Sequence, residues 1–435
     1  MSKTNKFLAL CAAFVGLGII LYITGFFLGE SVTGIGISND GFQVYSWNQT
    51  KLNETDFIEM TDIELDAFQN IDMKVSYANV EIKESDRFKI SYKTAQNHPL
   101  SYEIKDGTLH LTQANNIAGS SSFHYMFLGF SGIQNGNIWE NESVTVYIPG
   151  NTELSSISVN NDCGNTNLSS LNASSVSISA DYGDVNLTDM NAPCIALDVN
   201  TGYLNLDNII ADTLTVTADY GNVTLNTIDA STAALKVNTG NVNLDSIVAD
   251  TLTVTADYGD AILSTIDSSC VTLKINTGNV NIKDIASGII EAAIDYGDLQ
   301  LSSADTDSLS VEINTGSLGM ADITANTFTA DIEYGENNAE RITISGDTDI
   351  TIGTGSLHMK DANLQTLTAD NEYGDVSLEF SSPATDYSYD LFTEYGTIKI
   401  EGQDMGEKYK PLSSSDIGKH ITVSCESGSI DIKGL

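Results

Sequence analysis

Apolar residues recur at fixed positions around a glycine that returns every 19 residues along most of the chain. With this glycine as position zero, apolar side chains occupy positions −5, −3, +2, +4 and +7. The repeat around Gly240 shows the pattern with Leu235, Val237, Val242, Leu244 and Ile247. Spacing by two is strand periodicity, in which alternate side chains point to the same face. The pattern predicts a strand before the glycine, a tight turn through it, a second strand after it and a bend near +6.

The glycine itself is explained by the turn, which needs a residue that tolerates positive φ or a close approach of backbone. The interval of 19 holds without exception from Gly164 to Gly335, and later glycines follow at less regular steps. Positions +8 to +11 are small and polar, which predicts an outer corner there. The predicted structural turn glycines are Gly183, Gly202, Gly221, Gly240, Gly259, Gly278, Gly297 and Gly316.

A fixed period of about 20 residues is typical of solenoids, in which each repeat is one coil stacked on the last. The fold class that we predict is all-β, a single-stranded parallel β-solenoid (β-helix) with 19-residue coils. The competing interpretation is a meander of antiparallel hairpins, since residues 216–225 also read as two strands around a turn. The constant spacing favours the solenoid, because the loops of a meander usually drift in length.

A second rhythm doubles the period, because Asp-Tyr-Gly turns alternate with Asn-Thr-Gly turns. If coils stack about 4.8 Å apart, equivalent residues of adjacent coils lie that close together. Carboxylates on every coil would repel one another. Alternation of aspartate with asparagine places an amide between each pair, and this amide can bridge them by donating and accepting. The alternation therefore supports parallel stacking.

The chain divides into five predicted segments. Residues 1–30 contain a transmembrane anchor, 31–54 form a linker, and 55–150 form an N-terminal entry and capping β region. That region includes an aromatic loop at 115–138, for which a lid over the solenoid end and a membrane-touching or partner-binding loop are alternatives. The regular solenoid occupies 151–400, and 401–435 hold an interruption and a closing coil.

The N-terminal segment 7–28 is uncharged and long enough to cross a bilayer as one helix. Lys3 and Lys6 precede it and Glu30 follows, which predicts a single-pass protein with a cytoplasmic N-terminus and an extracytoplasmic solenoid. A cleaved signal peptide is the alternative, although no small-residue cleavage site ends the apolar run.

The net charge of −40 makes a nucleic-acid partner very unlikely, because phosphate binding requires a positive face. The five cysteines and five histidines have no metal-ligand or catalytic spacing. The Asn-Thr-Gly turns lack the carboxylate of an aspartic-protease motif. We therefore predict no enzyme activity, no catalytic residues and no cofactor, with calcium as the one ion to consider.

Two sets of turn residues are candidate sites. The calcium candidates are pairs of aspartates that flank one turn each, namely Asp181 with Asp184, Asp257 with Asp260, and Asp295 with Asp298. Turn chemistry is the alternative explanation for these residues. The candidates for partner binding are the tyrosines at −1, which are Tyr182, Tyr220, Tyr258, Tyr296 and Tyr334. The alternative is that each ring covers the neighbouring threonine and shields the turn.

Several segments resemble the DUF4097 putative-adhesin family. The resemblance rests on an N-terminal anchor, Asn79-Val80-Glu81-Ile82, the segment 144–150 and the Gly-x-Val-x-Leu repeats that follow, and it covers roughly 55–435. It implies an extracytoplasmic β-solenoid on the surface of bacteria, commonly Firmicutes, with no catalytic residues to carry over. Some members of the family resemble components of envelope-stress loci.

The functional hypothesis is a membrane-anchored, cell-surface solenoid that binds or adheres without catalysis, with a cell-wall polymer, a glycan or a protein as ligand. The alternative is a structural or signalling accessory of the envelope stress response. A minor alternative is a calcium-dependent surface adhesin.

Overall fold

A computed structural model describes the backbone of residues 32–38 and 41–46, together with residues 57–96, 98–113, 142–410 and 418–435. The predicted membrane segment 7–28 and the predicted aromatic loop 115–138 lie outside these residues. No helix within the described part of the chain is long and apolar enough to span a bilayer. The described elements are strands and one 3₁₀ turn, Ala384–Asp386.

The strands fall into an N-terminal group, a regular group and a C-terminal group. The N-terminal strands are β1 (Val32–Ser38), β2 (Gly41–Ser46), β3 (Phe57–Glu64), β4 (Asn70–Val75), β5 (Asn79–Ser85), β6 (Lys89–Ala95), β7 (Leu100–Lys105), β8 (Thr108–Gln113) and β9 (Ser143–Pro149). The regular strands are β10 (Glu153–Leu154), β11 (Ser156–Cys163), β12 (Thr166–Ala173), β13 (Ser175–Tyr182), β14 (Val185–Asn191), β15 (Cys194–Thr201), β16 (Leu204–Tyr220), β17 (Val223–Thr239), β18 (Val242–Tyr258), β19 (Ala261–Thr277), β20 (Val280–Tyr296), β21 (Leu299–Thr315) and β22 (Leu318–Tyr334). The C-terminal strands are β23 (Asn337–Ile344), β24 (Thr348–Thr354), β25 (Leu357–Leu364), β26 (Thr366–Tyr373), β27 (Val376–Phe380), β28 (Tyr387–Tyr395), β29 (Ile398–Ile400), β30 (Gln403–Gly406), β31 (Lys408–Tyr409), β32 (Lys419–Ser427) and β33 (Ile430–Lys433).

The regular strands stack in parallel with a register of one repeat, which confirms the predicted solenoid and excludes the meander. Val223 of β17 pairs with Val242 of β18, and Thr239 pairs with Tyr258. The same register continues through the neighbouring strands. Each coil therefore lies directly over the previous one. The antiparallel hairpin β1–β2 stands in the segment that we predicted to be a linker.

Each coil has three sides. The alternation of inward and outward side chains breaks at three places, and the buried side chains of the Gly240 coil fall into three groups. These residues are Ala233, Leu235 and Val237, then Val242 and Leu244, then Ile247 and Ala249. The five predicted inward positions are confirmed, and the structure adds −7 and +9 to the core. Our prediction of an outer corner from +8 to +11 was too wide, because Ala230 and Ala249 at +9 point inward.

The second corner lies at +6, as the pattern predicted. The residues there have left-handed backbone without being glycine, for example Thr227 with φ 53° and Ser246 with φ 57°. Asn208 and Asp322 occupy the same position, with φ 55° and 58°. Polar residues are suited to this corner because a short hydrogen-bonding side chain lowers the cost of left-handed backbone.

The glycine corner depends on direct contact between backbones. Gly240 has φ 151°, which side chains of L-residues rarely adopt. A Cβ atom on Gly240 would also overlap the carbonyl oxygen of Gly221 in the coil below. The same overlap would occur at Gly259, where the obstructing oxygen belongs to Gly240. Glycine is therefore required twice, by conformation and by space.

Both ends of the solenoid are built by the same exchange of coil order. The first coil, β4–β5, lies between the coil formed by β8–β9 and the coil formed by β11–β12. The last coil, β32–β33, likewise lies between β26–β27 and β28–β29. Antiparallel strands then complete each end, with β3, β6 and β7 at one and β30 and β31 at the other.

We expect Gly240→Ala to lower the free energy of unfolding by about 2–5 kcal/mol, since backbone strain and overpacking each cost about 1–3 kcal/mol. Gly402 is a matched control, because its φ of 74° is also left-handed but nothing lies within 4 Å of its Cβ position. Gly402→Ala should cost only about 1 kcal/mol. Denaturant unfolding of the full-length variants, followed by circular dichroism, measures both; equal losses would contradict the stacking argument.

Candidate functional site

One corner of the solenoid carries a row of tyrosines, which we call the tyrosine edge. The five predicted tyrosines occupy position −1 on alternate coils, and threonine occupies the coils between them. Tyr220 pairs with Thr239, and Thr239 pairs in turn with Tyr258. Because adjacent strands lie about 4.8 Å apart, successive tyrosines stand roughly 9–10 Å apart.

The rings of the tyrosine edge face solvent. Tyr220 is 60% exposed and Tyr258 is 58% exposed, while the intervening Thr239 is itself exposed. A ring that covered its neighbour would lose most of its own exposure and would bury the threonine. The exposure therefore favours rings that are available to a partner over rings that shield the turn.

Two further tyrosines extend the edge, and they were missed by our reading of the sequence. Tyr373 pairs with Ser427, and Ser427 pairs with Tyr395 on its other side. The order tyrosine, small hydroxyl residue, tyrosine is thus kept in space, although the chain visits Tyr395 before Ser427. The signal was present as Glu-Tyr-Gly at 372–374 and 394–396. The complete tyrosine edge consists of Tyr182, Tyr220, Tyr258, Tyr296, Tyr334, Tyr373 and Tyr395.

A ladder of side-chain acceptors holds the corner together at position +1. Asn241 Oδ1 accepts the backbone N–H of Asp260 at 2.9 Å, and Asp260 Oδ1 accepts that of Asn279 at 2.8 Å. Asp298 continues the ladder by accepting from Ser317 at 2.8 Å. Tyr203 occupies the same position in its coil and has no short acceptor group to contribute.

The bridge by amides that we predicted at position −2 is present. Asn238 Nδ2 donates to Asp219 Oδ1 at 2.5 Å, and Asn314 Nδ2 donates to Asp295 Oδ1 at 2.7 Å. Each asparagine therefore joins its coil to an aspartate of the coil before it. Along the central coils, this alternation of charge and amide stabilises the stack without adjacent carboxylates at position −2.

The aspartates proposed as calcium ligands take part in these ladders. One carboxylate oxygen accepts a hydrogen bond from a backbone N–H of the next coil in each of Asp184, Asp260 and Asp298. Asp295 accepts from an asparagine, and Asp181 and Asp257 stand at the equivalent −2 positions. Within the described ranges, no three residues of the metal-binding types come together as a possible site. Turn chemistry accounts for the oxygens that are engaged, and calcium binding stays a prediction.

Carboxylates accompany the rings of the tyrosine edge. Every tyrosine of the edge follows an aspartate or glutamate, whereas the threonines from Thr201 to Thr315 follow asparagine. At the C-terminal end, the hydrogen bond of Tyr395 with Glu394 raises the pKa of the Tyr395 phenol. The carboxylates that precede the tyrosines are Asp181, Asp219, Asp257, Asp295, Glu333, Glu372 and Glu394.

A buried polar cluster lies at the N-terminal end of the same corner, where the chain leaves β8 and returns to β9. Gln113 Nε2 donates to Glu142 Oε2 at 2.7 Å, and Gln113 Oε1 accepts the backbone N–H of Tyr77 at 2.8 Å. Glu142 also contacts His98, whose ring stacks on Tyr77 with centroids 4.4 Å apart. Gln113 and Glu142, which flank the aromatic segment in the sequence, are therefore held side by side.

The cysteines add no reactive group to the glycine corner, although Cys163 stands there at position −1, paired with Tyr182. Among the described residues, Cys163, Cys194, Cys270 and Cys425 are free thiols. Burial raises the pKa of Cys163 and of Cys425, which disfavours the reactive thiolate. Cys425 Sγ instead lies 3.3 Å from the carbonyl oxygen of Gly374 and packs into the core.

The chain matches the protein family described as Toastrack DUF4097 over residues 68–271 and 265–433. No curated protein matches the chain. These ranges include the N-terminal coils, the regular solenoid and the closing coil.

Three solved structures are similar over much of their length. A "putative adhesin" from Bacteroides fragilis NCTC 9343 is 11% identical, covers 87% of this chain and 97% of its own, and has a TM-score of 0.17. A "putative cell adhesion protein" from Clostridium sporogenes ATCC 15579 is 10% identical. It covers 87% of this chain and 99% of its own, and has a TM-score of 0.16. A "putative lipid binding protein" from Parabacteroides distasonis ATCC 8503 is 15% identical. It covers 68% of this chain and 95% of its own, and has a TM-score of 0.26. At these TM-scores, none of the three supports an argument about the ligand.

We expect Asp260→Asn to change stability by less than about 0.5 kcal/mol, since an amide oxygen can accept the same N–H and the charge is on the surface. Asp260→Leu should cost about 1 kcal/mol, because the acceptor is lost. Thermal melts of both variants measure the difference. Equal melting temperatures for the leucine and asparagine variants would contradict the ladder.

The same melts test calcium binding by the wild type. A rise of the wild-type melting temperature in millimolar calcium would support the calcium hypothesis.

Proposed function

The chain belongs to the Toastrack DUF4097 family, and from that premise we propose that it is a cell-surface adhesion protein that binds its ligand along the tyrosine edge without catalysis. The edge is a row of exposed rings, one on every second coil. Exposed aromatic rings contribute large contact area at little entropic cost, and they are enriched where proteins bind partners.

The observation that carries this proposal is the alternation of tyrosine with a small residue across the closing coil. Stability of the stack needs a glycine at each corner, but nothing in the corner requires an exposed ring before it. The order is nevertheless kept at Tyr373, Ser427 and Tyr395, where the spatial order departs from the chain order. A demand for evenly spaced rings accounts for this arrangement.

The proposed location is the outer face of a bacterial cell membrane. The sequence supports it through the uncharged segment 7–28, with Lys3 and Lys6 before it and Glu30 after it. In this arrangement the solenoid extends away from the membrane, and the tyrosine edge is open to ligands outside the cell.

A second candidate function is that of an accessory in envelope-stress signalling, for which the buried polar cluster is the favouring observation. Gln113 and Glu142, which flank the apolar-rich segment 115–138 in the sequence, are joined at the N-terminal end of the solenoid. In this function the segment presents its aromatic residues to a partner protein. The solenoid would then act mainly as a spacer.

Replacement of three central tyrosines separates the two functions. We expect the variant Tyr220→Thr, Tyr258→Thr, Tyr296→Thr to bind bacterial cell-wall preparations at least about tenfold more weakly, because exposed aromatic side chains carry much of a binding energy. Threonine is the native residue at the alternate corners, so the fold should be retained. Pull-down of the full-length protein with the cell-wall material measures the change.

A control variant removes exposed apolar side chains elsewhere. Ile210→Thr, Val248→Thr and Ile289→Thr change residues that are 50%, 51% and 42% exposed and lie outside the tyrosine edge. Binding should stay at the wild-type level. If the tyrosine variant also binds normally, and deletion of residues 119–131 abolishes a signalling readout, the accessory function replaces adhesion.

Removal of residues 7–28 tests the proposed location. We expect the full-length protein to remain with the membrane after alkaline extraction and the shortened protein to be released, because about 20 apolar residues suffice to span a bilayer. Protease added to cells that have been stripped of their wall, but whose membrane is intact, should digest the solenoid. Release of the full-length protein by alkaline extraction would contradict the anchor.

A further inference from the structure

We infer that the tyrosine edge binds a linear polymer with cationic groups, of the class of partly N-deacetylated, β-linked amino-sugar glycans. The inference rests on the proposed function and specifies its ligand. It is carried by the shared position of carboxylates and rings, by the absence of positive charge at the corner, and by the spacing of the tyrosines.

Carboxylates and rings occur on the same coils. The turns of the tyrosine edge read Asp-Tyr-Gly or Glu-Tyr-Gly, and the four turns between Tyr182 and Tyr334 read Asn-Thr-Gly. Repulsion between adjacent carboxylates explains why acid and amide alternate, but it does not explain why the acid accompanies the ring. Acids also precede Cys163 and Ser427, so the pairing of an acid with a tyrosine and of an amide with a threonine is strict only along the central coils.

Among the described residues no ion pair engages these carboxylates, although Lys236 and Lys274 stand two residues before the corner asparagines, at position −4. Among the described coils from Gly164 to Gly428, positions −2, −1 and +1 contain no lysine or arginine. The ion pairs of the described residues lie elsewhere; the bidentate contact of Arg341 with Asp322, for example, is at the +6 corner. A carboxylate beside an exposed tyrosine ring is a site for an ammonium group, which gains from both the charge and the face of the ring.

The net charge of −40 selects against anionic polymers, which the whole surface would repel. A glycan with free amino groups is attracted instead. The pyranose ring adds an apolar face that can stack on tyrosine, and its hydroxyls can bond to the asparagines of the intervening turns. A peptide with lysine side chains would supply the charge but not this stacking surface.

The spacing fits a polymer with a two-residue repeat. Successive tyrosines stand roughly 9–10 Å apart, and the row from Tyr182 to Tyr395 extends over about 55–60 Å at the usual strand separation. The disaccharide repeat of a β-1,4-linked glycan is of the same order as the distance between tyrosines. Binding at several corners at once raises the overall affinity steeply with chain length.

The test uses the full-length protein and chitosan oligomers of defined length, with N-acetylated chitin oligomers of the same length as the uncharged comparison. Wild-type protein should bind the longest chitosan oligomer most tightly in calorimetric titration. The variant Asp219→Asn, Asp257→Asn, Asp295→Asn should bind it about tenfold more weakly, since exposed ion pairs each contribute modestly. Asparagine is native at the alternate corners, so the corner bonds are kept.

A charge-matched control distinguishes the edge from the general acidity of the protein. Asp229→Asn, Asp250→Asn and Asp267→Asn remove the same charge from exposed residues at positions +8 and +10 and should leave chitosan binding unchanged. An equal loss in both variants overturns the inference in favour of non-specific attraction. Oligolysine of equal charge should bind more weakly than chitosan, and equal or tighter binding of oligolysine overturns the sugar component.

Different results would contradict adhesion by the tyrosine edge and the cationic nature of its ligand. If the threonine variant of Tyr220, Tyr258 and Tyr296 binds cell-wall preparations and all oligomers as the wild type does, adhesion by the tyrosine edge is wrong. If binding depends on the tyrosines but chitin binds as tightly as chitosan, the proposed function stands and the cationic ligand is wrong.

Discussion

The structure depends on the contact of each corner glycine with the glycine of the next coil. The carbonyl oxygen of Gly221 fills the space that a Cβ atom of Gly240 would need, and Gly240 does the same to Gly259. Backbones that touch in this way allow no sliding between coils, because a shift by one residue would place a side chain against a carbonyl. The interval of 19 residues is therefore a packing requirement at one corner, and the rest of each coil adjusts to it.

This contact also determines the geometry of the candidate site. The residue before each glycine is carried to the same edge on every coil, at a spacing set by strand hydrogen bonds rather than by side chains. Hydrogen bonds such as Gly240 N–H to the carbonyl oxygen of Tyr258, at 2.9 Å, hold the backbone of that residue while its ring stays in solvent. Rings on a frame of this kind lose little further freedom when a ligand binds, so more of the contact energy appears as affinity.

The regular part of the fold could be predicted from the sequence because its constraint is local and repeats. Glycine spacing, apolar alternation and the Asp–Asn alternation predicted the parallel stack, the turn and the +6 bend. The buried position +9 was missed because residues such as Ala249 and Ser268 are too small to read as apolar core. Position −7 was missed although its signal was present, since large buried residues such as Leu252 and Phe328 continue the alternation of −5 and −3. The exchange of coils at the ends was missed because it depends on which strand pairs with β26, and linear spacing contains no information on that choice.

The exchanged coils give the tyrosine edge a fixed length. A solenoid that simply stopped would expose a strand edge on which another chain could pair. Here the first and last coils lie one place inside the stack, and antiparallel strands such as β6 and β31 pair with the coil beyond them. The outer strand β3 carries Glu59 and Asp62, whose charge discourages end-to-end pairing between copies of a chain that is already strongly negative. The number of tyrosines in the edge is consequently set by this polypeptide.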